Sequence, residues 1–407
     1  MVGTLDIDLL SSATFSNGQP LDAYRWLRER DPVHWHDEPD GAGFWAVTRH
    51  ADVKAVTRDP KTFSSQRGMT IADVPEATME RSRNMMMFMD PPRHTRYRLL
   101  VNRQFMPRVV EGWSVEVGGL SRRIVNEVCE QGSCDLVEDI AGKLPSYVIA
   151  ELMGIPLEDG VRLYELTETM HAAADAVTPA ERNHAAVEML GYAQGVFEDK
   201  QAYPGTDLAT MLLGSEIDGE RLSAEDFAEF FLLLINAGGD TTRNVVAGAM
   251  QALFDFPAQH ARLRDDPDLP MDVAVEEFVR WVSPVVYMRR TATQPVELGD
   301  TTIEAGQKVV VYFGAANQDP DVFTEPEVLD LGRDPNDHVA FGGGGPHFCL
   351  GAHFARLEVG TMLREIVTRL PDIEPAGPAT WLPSNFISGP MRLPVRFRPQ
   401  RPVPLGG

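Results

Sequence analysis

The stretch "FGGGGPHFCLG", residues 341–351, decides how the rest of the chain is read. Four consecutive glycines let a backbone come very close to something flat or bulky, because no Cβ stands in the way. A helical apolar pattern, "CLGAHFARLEVGTMLREIVTRL", begins near Cys349. The thiol therefore lies at the positive end of a helix dipole, where thiolate is favoured and amide N–H groups can donate to sulfur.

Several chemistries could use such a loop. A phosphate cradle needs GxGxxG or GxxxxGK[ST], and the stretch has neither a third glycine in register nor a lysine. A nucleophilic pair of Cys349 with His347 is disfavoured, since residues so close seldom face each other where a helix begins and no oxyanion architecture accompanies them. A plain turn with a buried cysteine and a lone thiolate ligating haem iron both stay open on the loop alone.

A second stretch is equally unusual. "LLLINAGGDTTRN", residues 232–244, places two glycines, a carboxylate and two threonines inside the most apolar helical segment. Glycine in a helix interior costs roughly 1 kcal/mol against alanine. A buried carboxylate costs several kcal/mol unless it is paired. The pattern predicts a helix of more than thirty residues, starting after Ser223 with Asp226 as a capping-box partner and stopped by Pro257.

Around these two stretches the chain reads as mainly α with small β-sheets. "LDAYRWLRER" and "HADVKAVTRDP" are short helices, and "VHWHDEPDGAGFWAVTR" is two strands about a turn. From about residue 90 helical spacing dominates, until "RTATQPVELGDTTIEAGQKVVVYFGAAN" alternates at period two and predicts strands. "SGPMRLPVRF" is a further strand or hairpin. No linker, charge block or repeat divides the 407 residues, so one domain over 1–407 with short tails is expected.

Bulk properties exclude several classes. A net charge of −23 argues against nucleic acid and favours a cytoplasmic location. The start, "MVGTLDIDLLSSATFSNGQP", lacks a basic region and a long apolar core, so no secretory leader is expected. The apolar run 230–235 is far shorter than the ~18 residues of a membrane span. Three cysteines without CxxC fit neither a disulfide scaffold nor a zinc site, and Cys129 and Cys134 are expected to pack as small residues.

The loop 341–351 resembles the haem-binding loop of the cytochrome P-450 family, FGxGxHxCxG. Gly343, Gly345, His347, Cys349 and Gly351 match when counted from the cysteine. The family's phenylalanine stands seven residues before the cysteine; Phe341 stands eight before it, so the loop carries one extra residue. Other family signatures follow in order between about residues 20 and 400. "EFVR" supplies Glu277 and Arg280, the ExxR pair, about seventy residues before the cysteine. The family's usual meander arginine is replaced by Val328 in "PEVLD", which leaves Arg333 to take over the contact to Glu277. "DPPRHTRYRLLVNRQFMPR" holds five arginines, one histidine and no acid between positions 93 and 108.

What the resemblance implies is specific. The fold is the cytochrome P-450 fold with haem b on Cys349. His94, Arg98, Arg290 and His347 neutralise the haem propionates, and Phe341, Ala237 and Gly351 border the haem. "AGGDTT" resembles the oxygen-activation motif: Ala237 and Gly238 leave room for O2 and substrate, Thr241 delivers protons and Asp240 relays them. Thr241 is also expected to bond back to the Ala237 carbonyl, bending the helix locally. The activity implied is monooxygenation, with NAD(P)H electrons arriving through a ferredoxin reductase and a ferredoxin that docks on the remaining arginines. Met86, Phe88, Gly238, Val285, Val286, Phe386 and Ile387 stand where family members line the substrate pocket, although ordinary core packing accounts equally well for the methionines of "NMMMFMD". These residues are mostly apolar, which favours a lipophilic small molecule. "TTRN", "MRRTAT" and the cysteine loop resemble actinobacterial hydroxylases of sterol side chains and methyl-branched lipids. A tailoring oxidase of a terpene, macrolide or cyclic peptide is the competing expectation, and a haem-thiolate sensor or carrier without catalysis a third. The presence of both Asp240 and Thr241 argues for the enzyme.

Overall fold

A computed structural model describes residues 7–39, 41–73, 75–171, 177–217 and 220–405. Helices dominate. The longest, Ala224–Asp255, starts where Ser223 and Asp226 exchange both bonds of a capping box. It ends at Phe256, and Pro257 opens the next helix, Pro257–Asp265, at a position that needs no N–H donor. The long helix is continuous through its glycines. One hydrophobic cluster packs it against Ser114–Val128, Lys143–Met153, Met271–Val282 and Ala352–Arg369.

The main sheet has five strands in the order Val33–His36, Phe44–Val47, Lys308–Tyr312, Tyr287–Ala292, Phe63–Ser64. Lys308–Tyr312 runs parallel to Phe44–Val47 and antiparallel to Tyr287–Ala292, with Val309 opposite Arg290. This pairing fixes Arg290 within the sheet. Two expectations are corrected. Phe313–Ala316 is a short helix, not the end of a strand: the Phe313 N–H still meets the Val286 carbonyl in register, but the Asn317 N–H then closes a helical turn onto the Phe313 carbonyl at 2.9 Å. Pro390–Arg392 and Pro394–Arg396 do not form a hairpin with each other, since one pairs with Thr380–Trp381 and the other with Glu374–Pro375 and Ser133–Asp135.

Ahead of the cysteine loop the chain is pinned by a buried ion pair. Arg280 donates to both oxygens of Glu277 at 2.7 and 2.9 Å, with neither side chain accessible. Arg280 Nη1 reaches the carbonyls of Asn317 and Pro326. Glu277 also accepts from Arg333 Nε at 3.0 Å, Asn336 Nδ2 and the Asp330 N–H. A buried carboxylate is tolerated only when its lone pairs are satisfied this fully. Arg333 makes the contact from a different position than the family's usual arginine, while Val328 lies exposed.

Candidate active site

Cys349 stands two residues before Gly351, the N-cap of Ala352–Arg369. Gly342, Gly343, Gly344 and Gly345 all have φ between 65° and 101°, a region that disfavours side chains. The close neighbour of Gly343, Gly344 and Gly345 is the helix His50–Arg58. A Cβ on Gly345 would lie 2.3 Å from the Thr57 carbonyl oxygen, and one on Gly344 2.9 Å from Arg58 Nε. Arg58 Nε donates to the Gly343 carbonyl at 3.0 Å. The glycine run is thus needed first for packing against the protein itself.

The Cys349 N–H donates to the Phe341 carbonyl at 2.9 Å and closes the loop. Enclosure by protein pushes the thiol pKa up, while the Gly351 N–H and the charges of Arg98 and Arg356 pull it down. The side chain nonetheless keeps accessible surface. So does Ala237, in a stretch of helix where Ile235 and Gly239 are buried. A Cβ on Gly238 or Gly351 would meet no atom within 4 Å. Open space therefore borders both the cysteine loop and the middle of the long helix.

Next to the thiol lies a cluster of basic side chains, two arginines and two histidines. His94 and Arg98 are one turn apart on Arg93–Asn102. Arg98 Nη1 donates to the Pro346 carbonyl at 3.2 Å, and its charge and that of the Cys349 thiolate stabilise each other. The rings of His94 and His347 are 4.2 Å apart, and His347 Nε2 contacts the Met89 carbonyl at 3.0 Å and Ser65 Oγ at 3.2 Å. Burial pushes His94 down to about 4, with the charges of Arg98 and Arg290 adding to it. It likewise holds His347 well below its ordinary value and Arg290 down to about 10. Asp90 alone among the described carboxylates opposes these shifts at His94 and Arg290. It is already engaged by Ser64 Oγ and the Ser65 N–H. His94 Nδ1 is buried without a hydrogen-bond partner among the described residues. The cluster holds positive charge in excess of its own acids.

On the long helix, Thr241 Oγ1 donates to the Ala237 carbonyl at 3.1 Å. Asp240 is buried and lies 3.6 Å from Arg243 Nη2. Arg243 in turn hydrogen-bonds Glu168 and stacks over Tyr164, whose hydroxyl donates to the same Glu168 oxygen at 3.1 Å. The Glu168 side chain is 47% accessible, so the chain of charges runs from the helix interior to solvent. Sequence reasoning missed Arg243, although its place three residues after Asp240 was legible as an ion-pair spacing. Glu168 carried no local signal.

The pocket residues divide. Val285 and Ile387 meet in a backbone bridge, and both are half-buried. Val286 is fully buried in a cluster with Tyr24 and Tyr287, and Phe386 packs at that cluster's edge, 5.3 Å from the Tyr287 ring. Met86 is buried in the main core, while Phe88 is half-buried.

The donor set fits haem. No group of three or more His, Cys, Asp or Glu among the described residues is arranged to hold a metal ion. A lone thiol suits an iron whose equatorial ligands come from a macrocycle, and surplus buried cations suit that macrocycle's two carboxylates. The comparisons with known proteins agree. The family model for cytochrome P-450 matches residues 14–371. The steroid C26-monooxygenase of Rhodococcus jostii (strain RHA1) is 35% identical over 401 residues, covering 96% of this chain and 84% of that protein. The methyl-branched lipid omega-hydroxylase of Mycobacterium tuberculosis (strain ATCC 25618 / H37Rv) is 40% identical over 387 residues, covering 92% and 90%. Among solved structures, a Mycobacterium marinum cytochrome P-450 in complex with pseudoionone superposes with a TM-score of 0.90 at 38% identity, covering 98% of this chain and 100% of that one. The chain belongs to the cytochrome P-450 family of haem monooxygenases. It is similar in particular to the steroid and methyl-branched lipid hydroxylases of actinobacteria.

Proposed function

We propose that this protein hydroxylates a lipophilic small molecule, a sterol or a methyl-branched lipid, using O2 and electrons from a ferredoxin and its NAD(P)H-dependent reductase. The observation that carries the reading is the paired charge of Arg98 and Arg290 beside a lone thiol at a helix start. Haem bound there by Cys349 would supply oxygen activation and C–H oxidation.

The chain's own groups would do the rest. Cys349 ligates, and the Gly351 N–H holds part of the charge on its sulfur. Arg98, Arg290, His94 and His347 bind the propionates and orient the ring. Ala237 and Gly238 would leave room for O2 and substrate beside it. The Thr241 hydroxyl, now bonded to its own helix, can rotate to donate into that space. Asp240 relays protons to Thr241, and Arg243 and Glu168 connect it with solvent. Val285 and Ile387 present apolar surface to the substrate.

Relatives named for steroids and methyl-branched lipids support the substrate class. Pseudoionone in the Mycobacterium marinum structure supports a terpenoid ligand as the second reading. Titrating the ferric protein with cholestenone, a methyl-branched fatty acid, pseudoionone and a macrolide, and following the haem spin state by absorbance, separates them. A saturable low-to-high-spin shift with the sterol or the fatty acid is expected. A shift with pseudoionone or the macrolide alone would overturn the substrate class.

A further inference from the structure

Phe341, the backbone partner of Cys349, is held by polar groups that the proposed chemistry leaves unused. Arg356, one turn into the helix after the cysteine, lies 4.4 Å over the Phe341 ring. Its Nε and Nη2 donate to the two oxygens of Glu276 at 2.5 and 2.8 Å, the bidentate geometry that makes such pairs strong. His338 Nε2 lies 2.9 Å from Glu276 Oε2, and its ring centroid is 5.6 Å from that of Phe341. His338 Nδ1 accepts from the Ala340 N–H at 3.3 Å, which leaves Nε2 to donate to Glu276. Burial raises the Glu276 pKa, but Arg356 and His338 outweigh it and hold the carboxyl at about 2, so the pair stays charged at working pH. Arg356 is close enough for its charge to be felt at Cys349.

We propose that Glu276 sets the electron affinity of the cysteine-bound haem by neutralising the Arg356 guanidinium stacked on Phe341. This rests on Cys349 being the haem ligand. A bare cation beside the thiolate would favour the state that carries the extra electron. With Glu276 in place the cation is balanced, and one-electron reduction is less favourable. Glu276 is a positioning residue: it touches neither substrate nor cofactor and acts through Arg356. The side chains of Glu276 and Arg356 are 26% and 30% accessible, so solvent screens part of the effect.

The test is the midpoint potential of the haem-loaded, full-length protein, measured beside the absorption of its reduced CO complex. Glu276→Gln should raise the potential by about three- to tenfold in the reduction equilibrium, tenfold being ~59 mV for one electron. Arg356→Gln should lower it, and the double variant, with neither charge, should return towards wild type. Arg356→Lys, which keeps the charge and loses the planar stack, should stay at the wild-type potential. Unchanged potentials in both Gln variants, with the thiolate absorption intact, overturn the proposal and leave the haem assignment standing. A double variant displaced as far as a single one means that packing, not charge, moves the potential, and also overturns it. If Glu276→Gln fails to retain haem, the pair Arg356→Lys and Arg356→Gln decides: equal shifts overturn the proposal. A wild-type protein without thiolate absorption removes the assignment of Cys349 itself.

Discussion

At Thr241 the hydroxyl is bonded to the Ala237 carbonyl at 3.1 Å. Such a bond is worth about 1 kcal/mol net, so exchanging it for a partner on the open side of the helix costs little. Thr241→Ala removes the exchangeable proton without disturbing the helix. It should keep consuming NADH while product per NADH falls by at least about tenfold and hydrogen peroxide takes its place, as expected for a lost proton donor. Wild-type coupling in that variant would remove Thr241 from proton delivery. Glu358, on the helix that follows the cysteine, carries a different consequence. It is 5% exposed, its Oε2 has no hydrogen-bond partner among the described residues, and burial pushes its pKa up to about 8. In the unfolded chain it ionises near pH 4.5. Between those values the folded state binds the extra proton, so this group's contribution is complete below pH 4.5 and is lost as pH rises towards 8. Glu358→Gln should therefore resist unfolding better than wild type at pH 8, by a few kcal/mol, and show little gain at pH 4.5. Equal gains at both pH values, read from denaturant unfolding, would refute the titration.

Elements position these residues through specific local chemistry. The capping box at Ser223 starts the long helix, and the Glu277–Arg280 pair with Arg333 and Asn336 anchors the segment leading to the cysteine loop. The loop and the helix His50–Arg58 meet where only glycine fits. Gly345→Ala adds a Cβ 2.3 Å from the Thr57 carbonyl at a φ of 87°. Backbone strain of this kind costs about 1–3 kcal/mol, and the clash adds to it. The variant should unfold at lower denaturant and retain less haem per chain than wild type. An unchanged midpoint with full haem content would show that the loop can move away from that helix.

Over the whole molecule, charge is distributed unevenly. The chain carries −23 overall, yet residues 93–108 contain no acid. Arg96, Arg103 and Arg108 are exposed there, alongside Leu99 at 65% and Met106 at 51% exposure. Exposed apolar side chains interspersed with cations along this segment suit an acidic protein, and such docking weakens as salt screens it. Replacing Arg103 and Arg108 together by Glu should slow ferredoxin-supported turnover several-fold at low salt, and the deficit should shrink as ionic strength rises. The substrate-induced spin shift should be unchanged. A deficit independent of salt would place the effect elsewhere.

The sequence by itself determined the elements and the residue types of the site. Helix periods, the cap at Ser223, the stop at Pro257 and the spacing of Cys349, His347 and Gly351 are local features, set within a few residues of chain. Glu277 and Arg280 were legible for the same reason. The tertiary structure decided everything that depends on residues far apart in the chain: that the glycines serve an approach to Thr57 and Arg58, that Arg333 replaces the missing meander arginine, that Arg243 ties Asp240 to Glu168, and that Val286 packs into the core while Val285 meets Ile387. Such contacts depend on shape and buried charge summed over distant segments. No period or motif encodes them, because the chain acquires them only when its helices and sheets pack together.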